Sequence, residues 1–265
     1  MSTWTPEFSK TLDDMADVHG DVKSALQRLV GLVSPNTHEE WLRHVHELSA
    51  QERGYADYRE GITPKNVMDA INRVRPEDVP VVTDVGQHQM WAAQYLSFTR
   101  PRSFITSGGL GTMGFGLGAA IGASLATRGR SLLVTGDGSF AMNMAELVTA
   151  ADYGVPVTIV LLNNGTLGMV RQMQSLFRKG RHANTTLDRR VDYVALAQAT
   201  GTEGTRVDTI EDFERALADS LSADGPTLIE CPIGIDEFVT PVLQIGASMD
   251  DLIVNMDDVR ARMGR

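Results

Sequence analysis

From residue 61 onward the chain alternates two textures: unbroken runs of aliphatic residues, and stretches in which apolar positions recur every three or four residues. Unbroken runs suit strands covered on both faces, and their alternation with helical periodicity is the pattern of a parallel sheet with crossover helices. VPVVTDVG (79–86), SLLVTGDG (131–138), VPVTIVLLNNG (155–165) and PTLIECPI (226–233) read as strands, with TEGTRV as a further short one. MNMAELVTAADYG (142–154), VDYVALAQATG (191–201) and TIEDFERALADSL (209–221) read as helices, two of them stopping at a glycine. The predicted fold is α/β: a doubly wound, mostly parallel sheet of about six strands with helices on both faces.

The flanks differ. Residues 1–60 are polar, rich in His and Glu, and contain the helix-like GDVKSALQRLVGLV and THEEWLRHVHELSAQ, so they read as a helical appendage ahead of a domain over 61–235. The last stretch, 236–265, is mixed and partly acidic, and reads as a tail that packs late or on a neighbouring molecule.

Composition narrows the function classes. The 265 residues are 42% hydrophobic and 22% charged, ordinary for a globular protein. No apolar run approaches the roughly 18 residues that would span a bilayer, so no membrane association is expected. The net charge is −10, and the basic residues form one modest cluster, Arg171 to Arg181, so no nucleic acid partner is expected. That cluster reads either as a solvated loop or as a binding loop beside an anionic ligand. MSTWTPEFSK lacks the pattern of a signal peptide, and the single cysteine, Cys231, has no partner within the chain, so a reducing cytoplasm is the expected location.

Candidate chemistry concentrates where two strands end. In an open parallel sheet ligands bind at the carboxyl ends of the strands. One strand ends at Gly136-Asp137-Gly138, and the next, one crossover helix later, at Asn163-Asn164, so their side chains converge on one edge. A carboxylate, a carboxamide oxygen and a loop carbonyl form the oxygen set that Mg²⁺ or Ca²⁺ prefers. A helix following Ser139 would direct its free N–H groups to the same place and favour a phosphate. The residues alone leave a second reading open, in which Asp137 caps that helix and the asparagines form a turn. Gly109, Gly111 and Gly114 also fit G-x-G-x-x-G, but the apolar run before them, SFIT, is short. The acidic residue expected after the fingerprint falls inside GDG. The other reading of those glycines is close helix packing on the sheet.

GDGSF, followed 27 positions after its aspartate by the second asparagine of LNNG, resembles the thiamine-diphosphate and magnesium signature of thiamine-dependent enzymes. More narrowly, TDVGQHQMWAAQYL, FITSGGLGTMGFGLGAAIGA and GMVRQMQSLF resemble acetolactate synthase large subunits, over roughly residues 62–235. EFSKTLDDMADVHGDVKSALQRLV resembles the end of that family's middle domain and its exit linker. The resemblance implies two cofactors, thiamine diphosphate and Mg²⁺. Asp137 and Asn164 would coordinate the metal through their side chains and Thr166 through its carbonyl. Gly136, Gly138 and Ser139 would contact the diphosphate, with Gly86, Gln87 and His88 of a GQHQ turn on its other side. Met113, with Gly111 nearby, would sit beneath the thiazolium ring and enforce a bent cofactor. Leu167 and Gly168 would follow the metal loop along the cofactor, and Met169 would line the reaction pocket. Arg171 would stand near a substrate carboxylate on a mobile segment. Taken singly, the methionines would read as core packing and His88 as a surface histidine.

Two departures from the family pattern matter. Met173 occupies a position at which many acetolactate synthases carry tryptophan, implying a wider or differently shaped acceptor pocket. The chain also lacks the amino-terminal pyrimidine-binding domain, whose glutamate acts on the aminopyrimidine ring; Glu146 lies in a predicted crossover helix and is no substitute. The resemblance therefore implies an acetolactate-synthase-like enzyme acting on a 2-oxo acid, at least a homodimer, with the glutamate wall supplied by a separate chain. A regulatory subunit is a further implied partner. Two alternatives stay open: a subunit of a split decarboxylase resembling sulfopyruvate or phosphonopyruvate decarboxylases, and a non-catalytic chain, either a cofactor-binding or assembly subunit or a piece of a longer chain.

Overall fold

The computed structural model describes residues 18–53, 59–187, 191–244 and 246–263. The chain divides into two compact units, Met1–Gly54 and Tyr55–Arg265. The first contains α1 (Val22–Val30) and α2 (Glu39–Arg53). Asp21 caps α1 by accepting the Ser24 N–H, and α1 buries none of its residues.

The second unit is built on six strands: β1 (Val81–Thr83), β2 (Phe104–Ile105), β3 (Ser131–Gly136), β4 (Val157–Asn163), β5 (Glu203–Arg206) and β6 (Thr227–Pro232). All pair in parallel, in the order β2-β1-β3-β4-β6-β5. α3 (Pro64–Val74) precedes β1; between the strands lie α4 (Gln87–Tyr95), α5 (Phe115–Thr127), α6 (Asp137–Phe140), α7 (Glu146–Asp152), α8 (Gly168–Phe177), α9 (Tyr193–Ala199) and α10 (Ile210–Ser222), and α11 (Met256–Met263) follows β6. This is the expected doubly wound α/β architecture.

Alternation along each strand divides the core in two. Leu132, Val134, Val160 and Leu162 face one layer with Met68 and Ile71 of α3, Trp91 of α4 and Phe213 of α10. Leu133, Ile159 and Leu161 face the other with Leu117 of α5, Leu147 of α7 and Tyr193 of α9. Burial on both faces is why these strands read as unbroken aliphatic runs.

The ladder is shorter than the sequence runs at every strand. The expected 79–86 shrinks to Val81–Thr83, and 131–138 ends at Gly136 because Asp137 already begins α6. The helix expected over 142–154 is regular only from Glu146. Before it the chain turns through i to i+3 bonds such as Glu146 N–H to Asn143 O at 3.1 Å. The GQHQ segment is the first turn of α4 rather than a free turn, and the basic cluster begins on α8 rather than in a loop. The carboxyl-terminal segment packs on its own domain: Phe238, Val242, Ile253 and Val259 form a third apolar cluster with Leu176 of α8. No described helix is long and apolar enough to cross a membrane.

Candidate functional site

The carboxyl edge of β1, β3 and β4 opens into a cleft of about 120 Å³. Three helices begin at its wall: α4 after Gly86, α6 after Gly136 and α8 after Leu167. None of these three starts is closed by a side-chain cap bond. The strands deliver the chain to this edge, and each helix turns it back over the sheet.

Asp137 is 4% exposed, at the first position of α6, and Tyr193 donates its hydroxyl hydrogen bond to the Asp137 carbonyl at 3.3 Å. Asn164 accepts the Thr166 N–H at 3.1 Å, and Thr166 donates its hydroxyl to the Thr185 carbonyl at 2.7 Å. Both asparagines make local turn bonds, since Asn163 accepts the Gly165 N–H at 3.2 Å. The turn reading of this pair therefore holds alongside convergence: Asp137, Asn164 and Thr166 line one cleft. Among the described residues no group of three or more His, Cys, Asp or Glu is arranged to hold a metal. The oxygen set here is one carboxylate with a carboxamide and a backbone carbonyl, the chemistry of a hard divalent cation rather than of zinc.

Glycines keep the floor of the cleft clear. A Cβ on Gly138 would lie 2.8 Å from Leu167 Cδ2, and one on Gly136 would lie 2.8 Å from His88 Nδ1. A Cβ on Gly86 would meet His88 Cε1 at 2.7 Å. The His88 ring is thus held between two glycines. The residue lines the cleft, and its Nε2 is buried without a hydrogen-bond partner. A buried orphaned nitrogen is costly unless a ligand completes it. Burial drives the His88 pKa down to about 4, against the opposing charge and backbone hydrogen bond of Asp84.

Asp84, itself 1% exposed, organises the opposite wall. Its Oδ1 accepts the Gly114 N–H at 2.9 Å, and Ser139 Oγ accepts the same N–H at 3.2 Å. Gly114 has φ 86°, a left-handed conformation that suits glycine and starts α5 immediately after Met113. Met113 lines the cleft, as do Met169, Leu167, Gly168, Gln87 and Ser139. Arg171, Met173 and Gly111 do not line it. Arg171 is buried, ion-paired to Asp236 at 2.9 Å and 3.2 Å from His182 Nδ1. Met173 is partly exposed on α8, and Gly111 sits in the loop before α5, its N–H bonded to the Ser107 carbonyl. Sequence reasoning passed over Asp84, Trp91 and Gln172, which are buried at or behind the cleft. Asp84 carried the one visible signal, a carboxylate at the end of an aliphatic run in the same manner as Asp137.

Residues 84–231 match the thiamine pyrophosphate enzyme, C-terminal TPP binding domain. The chain belongs to the thiamine pyrophosphate enzyme family. It is 39% identical over 249 residues to the acetolactate synthase isozyme 2 large subunit of Escherichia coli, an alignment covering 93% of this chain and 45% of that protein. It is 37% identical to the Haemophilus influenzae acetolactate synthase large subunit, over 94% of this chain and 45% of that one. The chain thus spans less than half the length of these relatives. Among solved structures, a thiamine diphosphate-dependent 4-hydroxybenzoylformate decarboxylase of Rhodococcus jostii superposes with a TM-score of 0.63 at 32% identity, covering 69% of this chain and 34% of that one.

Proposed function

We propose that this chain is the diphosphate- and Mg²⁺-binding half of an acetolactate-synthase-like enzyme that decarboxylates a 2-oxo acid and ligates the remainder to a second ketone. The observation that carries the reading is the cleft itself. There Asp137, Asn164 and Thr166 line one wall with His88, whose Nε2 is orphaned, and with glycines at which a side chain would collide with His88 or Leu167. Bound thiamine diphosphate supplies a nucleophilic carbon and an electron sink for decarboxylation. The chain's own residues do the rest. Asp137 and Asn164 hold the cation that neutralises the diphosphate, with the Thr166 carbonyl as a third ligand. The His88 ring stands at the wall of the cleft, and the starts of α4 and α8 add N–H donors for the diphosphate. Met113 and Met169 present apolar surface that fixes the cofactor's shape and excludes water.

No glutamate lines the cleft among the described residues, and the Glu146 carboxylate accepts the Thr149 hydroxyl at 2.7 Å on α7. That supports a pyrimidine-binding wall supplied from outside these residues. The likeness to a decarboxylase favours a second reading, release of an aldehyde without ligation. Supplying thiamine diphosphate, Mg²⁺ and pyruvate and following CO₂, acetolactate and acetaldehyde separates the two. Acetolactate is the expected product once the glutamate-bearing wall is present. Acetaldehyde alone would replace carboligation with simple decarboxylation.

A further inference from the structure

Behind the cleft, three elements meet at a buried junction of carboxamides. Gln172, 2% exposed on α8, accepts the Val239 N–H at 2.9 Å with Oε1 and donates Nε2 to the Val239 carbonyl at 2.8 Å. Gln87, 4% exposed on α4, donates Nε2 to Gln172 Oε1 and to the Glu237 carbonyl, each at 2.8 Å. Gln87 Oε1 in turn accepts Nδ2 of Asn164 at 3.4 Å.

The orientation of every group in this junction follows from the first. A backbone N–H only donates and a carbonyl only accepts, so Val239 admits one orientation of the Gln172 carboxamide; the flipped one would set donor against donor. With Gln172 Oε1 and the Glu237 carbonyl both acceptors, Gln87 must turn its nitrogen to them. Its oxygen then faces Asn164, which must answer with Nδ2. The Asn164 oxygen is left on the other side, where the Thr166 N–H occupies one lone pair and the second remains for a cation. A flipped Asn164 would present an NH₂ group to a cation. Gly168 leaves room for the contact, because a Cβ there would lie 1.9 Å from Gln87 Oε1 and 2.8 Å from Asn164 Nδ2.

We propose that Gln172 is a positioning residue: together with the backbone of Glu237 and Val239 it fixes, through Gln87, the carboxamide of Asn164 with its oxygen toward the metal. The carboxyl-terminal segment thereby becomes part of the cofactor site although it is absent from the cleft wall. This inference rests on the functional reading above. It also revises the part of Gln87, whose side chain is engaged by protein groups and bears on the diphosphate only indirectly.

The test uses the full chain. In Gln172→Leu the Asn164 side-chain NH₂ resonances of the unliganded protein shift, although residue 172 does not touch Asn164. The apparent Mg²⁺ affinity, titrated at saturating thiamine diphosphate, falls about threefold to tenfold, as loss of a buried hydrogen-bond partner predicts. Gln172→Glu keeps the acceptor for Gln87 but, when ionised, sets an oxygen against the Val239 carbonyl, so it restores the affinity only where the new carboxyl is protonated. Should Gln172→Leu fail to fold, Gly168→Ala displaces Gln87 Oε1 from Asn164 without altering Gln172, and gives the same two changes. A folded Gln172→Leu with unmoved Asn164 signals and wild-type Mg²⁺ affinity overturns the proposal while leaving the functional reading intact. A wild-type chain that takes up thiamine diphosphate without needing Mg²⁺ overturns that reading, and with it the purpose of the junction.

Discussion

Helices α1, α3, α9 and α10 each begin beneath a capping side chain, from Asp21, Thr63, Asp192 and Thr209, whereas α4, α6 and α8, which begin at the cleft, have none. The two remaining uncapped starts in the domain, α5 and α7, are served otherwise. The Gly114 N–H before α5 goes to Asp84 and Ser139, and the first N–H groups of α7 bond back into the preceding turn. A capping side chain satisfies one of the free donors of its helix start within the chain. An end left open beside a cleft keeps donors for an anion, and here three such ends surround one carboxylate and one orphaned imidazole nitrogen. On the proposed reading, stability and binding thus fall to different helix starts of the same fold.

The largest effect that would sharpen this contrast comes from His88, the second residue of the uncapped α4. Its native pKa is lowered by burial from 6.5 to about 4, so the unfolded chain binds the proton more tightly. Stability is therefore intact above pH 6.5 and is lost as pH falls toward 4, by on the order of 3 kcal/mol at the low end. Denaturant unfolding across that window measures the slope. His88→Gln, which cannot titrate, should lose this part of it, and an unchanged slope in the variant would show that His88 is not held neutral. The smaller effect lies at a capped end. Thr209 accepts the Asp212 N–H at 3.1 Å, and Thr209→Ala should cost about 1 kcal/mol of unfolding free energy while leaving cofactor affinity as it was. A change in affinity would mean that the two kinds of helix start are coupled after all.

Most of the sheet was legible in the sequence because β3, β4 and β6 are covered on both faces and announce themselves as aliphatic runs. β2 was not, since it pairs over only Phe104 and Ile105. α3 was passed over although Thr63 and Pro64 mark its start in the usual way. α4 had no comparable signal: QHQMWAAQY buries Gln87 and His88 alongside Trp91 and Ala92, and buried polar residues erase the periodicity by which a helix is recognised. The LNNG loop and GDG stood out because glycine and asparagine punctuate aliphatic strands. The Gln172 junction was invisible, since its partners lie 67 and 85 positions away and only the fold brings them together.

The measurement closest to the central claim is calorimetric titration of thiamine diphosphate into the full chain, with and without Mg²⁺, and into Asp137→Ala. The account predicts saturable binding that requires Mg²⁺ and weakens at least about 100-fold in the variant, since loss of a direct ligand costs no less than the loss of the outer groups that orient one. Binding indifferent to Mg²⁺, or undiminished in Asp137→Ala, would contradict it.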